Sequence, residues 1–158
     1  MLIICRSNHI FISLHPNLVF LFMDFGFVRV AAAVPQLHLA DCNYNAEQIM
    51  LQIDEAKEEG VEVVCFPELS LTGYTCADLF FMQQLQKSAV NALRRVAEYT
   101  VGKNMVVIVG APLQSDNNLY NCAIVLYEGK VLGVVPKINL PNRSEEHTSE
   151  LQSLAYLV

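Results

Sequence analysis

Val61-Glu62-Val63-Val64-Cys65-Phe66-Pro67-Glu68-Leu69-Ser70-Leu71-Thr72-Gly73-Tyr74 holds both the strand and the break that decide the fold. Residues 61–66 are a short, mostly apolar run rich in β-branched side chains, the pattern of a strand enclosed in a sheet. Pro67 has no N–H to give a ladder, so the strand is expected to end there. Glu68 then falls just beyond the carboxyl end of a strand, where open α/β sheets place their chemistry. Leu69, Leu71 and Tyr74 make the following loop largely apolar, and a carboxylate enclosed by such side chains gains basicity. One reading of Glu68 is a general base. The other is a cap on the next segment or a surface ion pair.

Working outward, Phe27 to Val34 reads as a buried strand stopped by Pro35. Asp41, Asn43 and Asn45 offer helix caps, and Ala46, Ile49, Met50, Ile53 and Ala56 recur at helical spacing up to a stop at Gly60. The opposite face of that helix, with Glu47, Gln48, Asp54, Glu55 and Glu58, reads as solvated and nothing more. Asp78 is expected to start a second helical region, which Ala89, Ala92, Leu93, Val96 and Ala97 continue until Gly102. Met105 to Val109 follows as a strand ended by Gly110-Ala111-Pro112. Strand, helix, strand, helix, strand implies a parallel sheet with right-handed crossovers. Leu119–Tyr127 and Lys130–Val135 then flank Glu128-Gly129, which predicts an antiparallel hairpin and hence a mixed sheet.

That hairpin leads into Val134-Val135-Pro136-Lys137, repeating the earlier design of an apolar strand, a proline and one charged residue. Glu68 and Lys137 are therefore expected at one rim. They form either a structural ion pair or the working parts of an acyl transfer, with Glu68 taking a proton from a nucleophile and Lys137 stabilising an oxyanion. The second reading needs a third residue.

The chain of 158 residues, 53% of them hydrophobic, suffices for one domain with a sizeable core. A net charge of −6 gives no electrostatic footprint for nucleic acid or an anionic membrane, which leaves small-molecule chemistry or protein contacts. The five cysteines form no C-x-x-C pair and no metal-like spacing with histidine, so a reduced, cytoplasmic protein without a metal centre is expected. Cys65 is expected to be buried and inert in its strand, Cys42 and Cys122 to fill core or loop, and Cys76 to lack alignment with Glu68.

Both ends differ from the middle. Arg6, Asn8, His9, His15, Pro16 and Asn17 break residues 1–22 short of the ~20 apolar residues that span a bilayer. Asp24 and Arg29 spoil a signal peptide built on residues 18–22 with Ala31-Ala32-Ala33 as its cleavage site. Translation from Met23 is expected, with 1–22 as upstream read-through. Residues 143–158 open on a polar, non-periodic run resembling translated adapter sequence, which leaves 23–142 as the domain. Glu146 beside His147 supplies only two ligands and makes no metal site.

Phe66-Pro67-Glu68-Leu69-Ser70-Leu71-Thr72-Gly73-Tyr74, then Ala77-Asp78-Leu79-Phe80, then Lys137-Ile138-Asn139-Leu140-Pro141-Asn142, resembles the nitrilase or carbon–nitrogen hydrolase superfamily. Within it, the wording is most similar to the N-terminal glutaminase domains of glutamine-dependent NAD synthetases. The resemblance covers Phe27 to Asn142 and implies an α-β-β-α sandwich, an α/β fold with a mixed sheet, incomplete here at its C-terminus. It also implies a Glu-Lys-Cys triad acting on glutamine or another small amide. Glu68 matches the base and Lys137 the lysine, while the cysteine has no counterpart, so the chain alone is expected to be inactive. Arg143 stands where the family usually has an aromatic residue. Tyr74 either lines the substrate pocket or packs the loop. No cofactor is implied for the amidase step; ATP and Mg belong to a synthetase domain outside this chain, and assembly of the complete protein as a homo-oligomer is expected. A stand-alone amidase and a non-catalytic assembly module remain as other readings.

Overall fold

The computed structural model describes residues 28–116 and 118–137, together with the backbone of 4–6 and 9–11. The expected translation start at Met23, residues 138–142 and the tail from 143 lie outside those residues. Strands β1 (Ile4–Arg6) and β2 (His9–Phe11) pair antiparallel as a separate two-stranded sheet.

The main sheet has five strands in the order β3 (Val30–Ala32), β4 (Val63–Cys65), β5 (Val106–Ser115), β6 (Asn118–Tyr127) and β7 (Lys130–Pro136). β3, β4 and β5 run parallel, with Val30 opposite Val63 and Val63 opposite Val106. β6 and β7 add antiparallel, which gives the mixed α/β sheet expected from the residue pattern. The crossovers carry helix α1 (Cys42–Glu58) and helix α2 (Gln83–Tyr99), which pack against each other. Strand neighbours laid down in one direction by same-handed crossovers put both helices on one face of the sheet.

Alternation along the strands makes that face the core. Ala31, Val64, Val107, Val109, Ile124 and Leu126 are buried, and Ile49, Ile53, Val96 and Ala92 meet them from the helices. Each fully buried Ile or Val contributes ~1.5–3 kcal/mol over an exposed one. The intervening residues point the other way: Val30 is 40% and Val135 60% exposed, and Ala32, Cys65 and Ala123 are exposed beside them. This open face bears the polar residues of the candidate site.

Several local expectations change. β5 continues through Gly110 and Pro112 to Ser115 instead of ending at Val109. The N–H of Gly110 donates to Ser70 Oγ (3.2 Å) and its carbonyl accepts from the Leu71 N–H (3.2 Å), so this residue's backbone groups point to the β4 side. Pro112, two residues on, points the same way, past the end of β4, and its missing N–H removes no bond to β6. The second helical region divides into a 3-10 turn (Ala77–Phe81) and α2, because Met82 is extended while Phe80 packs into the core at 1% exposure. The acidic face of α1 does more than meet solvent: Asp54 accepts from Tyr99 (2.5 Å) and pairs with Lys103, and Glu47 pairs with Arg95 at 3.5 Å. Asp41 is the helix cap, accepting from the Tyr44 N–H at 3.1 Å, and Asn45 is instead fully buried. Finally, Glu128 and Gly129 both have positive φ, +46° and +78°, as a two-residue type I′ turn requires.

Candidate active site

Glu68 and Lys137 meet. Lys137 Nζ lies 3.0 Å from Glu68 Oε1 and 3.1 Å from Oε2, a cation facing both carboxylate oxygens. In sheet order β4 and β7 are separated by two strands, about 14 Å at ordinary strand spacing. The gap closes because the loop after β4 crosses over β5 at Gly110. A methyl group on Gly110 would stand 2.4 Å from Leu69 N, 2.7 Å from the Pro67 oxygen and 2.9 Å from Glu68 C, so only glycine leaves room for the crossing.

The crossing loop is fastened at several points. Ser70 is fully buried, and its hydroxyl both accepts from the Gly110 N–H and donates to the Gly110 carbonyl at 3.4 Å. Leu69 adopts φ +54°, and its carbonyl accepts from the N–H groups of Thr72 (3.0 Å) and Gly73 (2.8 Å), offsetting the strain of a left-handed leucine. From α1, the Asn45 amide donates to the Leu71 carbonyl (3.1 Å) and the His38 carbonyl (2.8 Å) and accepts from the His38 N–H (2.7 Å). A buried amide with each group paired ties the helix to the loop that bears Glu68.

Asn121 on β6 is a third polar residue at the pair, and the residue pattern did not single it out. Its Nδ2 donates to Glu68 Oε1 at 2.5 Å, and its carbonyl accepts from the Lys137 N–H at 2.8 Å. The register that sets Cys122 opposite Pro136 places Asn121 level with Lys137. A sequence-level signal existed in the polar Asn121 interrupting an apolar strand, but only the register shows what it faces.

The surroundings correct one expectation. The Glu68 side chain is 37% exposed and that of Lys137 31%, so the apolar loop residues do not enclose the carboxylate. Leu69 and Leu71 turn into the core, at 2% and 0% exposure. Tyr74 is 43% exposed, so it does not fill the loop's interior.

The four cysteines whose side chains are described separate by burial. Cys42, Cys76 and Cys122 are buried, and Cys76 Sγ donates to the Thr72 carbonyl at 3.2 Å. Burial, with the neighbouring Cys76 and Asp41, pushes the Cys42 thiol up to about 11, and burial also raises Cys76 and Cys122. These are thiols held protonated at neutral pH, poor nucleophiles. Cys65 contradicts its expected burial: it is exposed, because its position in β4 points to the open face. Among the described residues no helix is long and apolar enough to cross a membrane, and no group of three His, Cys, Asp or Glu side chains is arranged to hold a metal ion.

Comparison with known proteins bears on the family and the fold. The carbon–nitrogen hydrolase family profile matches residues 29–153, a range that runs past Asn142. The chain is 36% identical over 120 residues to a glutamine-dependent NAD(+) synthetase of Mycobacterium tuberculosis, covering 76% of the chain and 18% of that protein. It superposes on a glutamine-dependent NAD(+) synthetase from Cytophaga hutchinsonii with a TM-score of 0.68 and 31% identity, over 73% of this chain and 20% of the other. An amidase from Nesterenkonia sp., at TM-score 0.61 and 20% identity over 72% of this chain and 44% of its own, shares the fold. The chain thus spans about a fifth of the length of the synthetases it matches.

Proposed function

The chain belongs to the carbon–nitrogen hydrolase family, and from that premise we propose that it forms part of the glutamine-hydrolysing domain of a glutamine-dependent NAD synthetase. The observation that carries the reading is the Glu68–Lys137 pair, one proton acceptor and one cation held 3.0 Å apart at the end of two strands. The relatives named above supply the substrate class, glutamine as a nitrogen donor.

In this reading a cysteine thiol outside the described residues gives its proton to Glu68 as sulfur bonds to the amide carbon. The carbonyl oxygen becomes an oxyanion, and the Lys137 ammonium stabilises it. Collapse expels ammonia, which carries away the proton from Glu68, and water then hydrolyses the thioester to glutamate. In this reading Tyr74, exposed on the loop after Glu68, is a substrate-binding residue. ATP and Mg act in a separate synthetase region, which uses the ammonia. The 158-residue chain alone releases no ammonia, since a triad loses most of its effect with any one member.

Lys137→Met tests the lysine's part. In the full-length protein, glutamate release is expected to fall by ~10²–10³, the usual worth of a single oxyanion donor. An unchanged rate in folded protein would remove Lys137 from the chemistry.

A further inference from the structure

Building on the proposed glutaminase reading, we propose that Asn121 is the positioning residue of the pair and that it makes the two oxygens of Glu68 unequal. Glu68 Oε1 takes the Asn121 amide at 2.5 Å and the Lys137 ammonium at 3.0 Å, whereas Oε2 takes only the ammonium, at 3.1 Å, among the described residues. A carboxylate has about four lone-pair directions, so Oε2 keeps the greater free acceptor capacity. Oε1 is the held atom and Oε2 the atom that exchanges the proton.

The geometry singles out Asn121 because one residue grips both partners from a strand. Its side chain holds the Glu68 carboxylate and its carbonyl holds the Lys137 backbone at 2.8 Å. An ammonium on a flexible stem is a rotating donor that fixes no carboxylate orientation. A planar amide is directional, and an ionised carboxylate accepts only from its N–H side. Without Asn121, Glu68 and Lys137 still attract each other, but the carboxylate rotates freely about its side-chain bonds. Misplacing a reacting group by about 1 Å costs on the order of 10²-fold in rate.

Two variants of the full-length protein separate positioning from space-filling. Asn121→Asp keeps the shape and sets an acceptor against Glu68 Oε1; Asn121→Ala removes the group. Positioning predicts glutamine-dependent kcat lower in both, by ~10–10² in Asn121→Ala and by more in Asn121→Asp, with the KM for glutamine changed by no more than about threefold. Formation of NAD from supplied ammonia is retained and reports that the protein is folded. A purely structural role predicts the reverse order, with the isosteric Asp near wild type and Ala worse. That order, wild-type kcat in both variants, or equal loss with both nitrogen sources would each overturn the proposal. Glu68→Gln measured in parallel tells the two claims apart: if it leaves glutamine-dependent formation intact, the glutaminase reading itself fails, whereas its loss beside unaffected Asn121 variants sinks only the role of Asn121.

Discussion

At Gly110 the site depends on the lack of a side chain. Any Cβ there meets backbone atoms of Pro67, Glu68 and Leu69 within 2.9 Å, and backbone cannot swing aside as a flexible side chain does. Gly110→Ala is therefore expected to lift the loop off β5, separate Glu68 from Lys137 and cost ~1–3 kcal/mol in stability, as overpacking does. A crystal structure of the variant with the pair still at 3.0 Å would contradict this account of the crossing. Glu68 and Lys137 were legible in the sequence because each follows a strand and a proline. Gly110, Ser70 and Asn121 were not, because their partners lie 40 to 53 residues away and a one-dimensional pattern carries no register. The exposure of Cys65 escapes the sequence for a related reason: strand periodicity gives the alternation, but which half of it meets the helices is a tertiary fact.

Among the elements, α1, the body of α2 and the hairpin followed from their periodicity and from Glu128-Gly129, whereas the break at Met82 and the length of β5 did not. Proline reads locally as a strand end, and its tolerance at position 112 arises from where β4 stops. The contact between α1 and α2 also has a charge component that spacing alone hid. Hydrogen bonds from Lys103 and then Tyr99 hold the Asp54 carboxyl below the usual carboxylate range. A carboxyl whose folded value is depressed adds stability above its unfolded value, near 4, and loses it as pH falls through the lower folded value. Asp54 is 41% exposed, so solvent screening keeps the effect below about 1 kcal/mol. Asp54→Asn is thus expected to lower the urea midpoint modestly at about pH 7, with the difference from wild type shrinking as pH falls through the lowered folded value. A difference constant across that range would show that the pair contributes through packing alone.

For the whole molecule, the governing feature is a sheet with helices on one face and exposed apolar side chains on the other. Val30, Cys65, Ala32, Ala123 and Val135 share that open face with Glu68, Asn121 and Lys137. The α-β-β-α sandwich implied by the family resemblance sets a second layer against such a face, and the chain spans 18% of the length of the M. tuberculosis synthetase it matches. Uncovered apolar surface is an aggregation hazard and a dye-binding site. The 158-residue chain is expected to bind the dye ANS and to scatter light increasingly with concentration, and Val135→Lys to reduce both. A monodisperse chain that binds no dye would mean that the open face is covered.

The most direct test of the central claim, that Glu68 serves ammonia release and nothing else, compares two nitrogen sources on one preparation of the full-length Glu68→Gln protein. Gln keeps the size of Glu and loses its basicity, so the variant isolates proton transfer from packing. NAD formation from glutamine is expected to be abolished while formation from supplied ammonia persists near the wild-type rate. Equal loss from both sources in soluble, folded protein, or full retention of both, would contradict it.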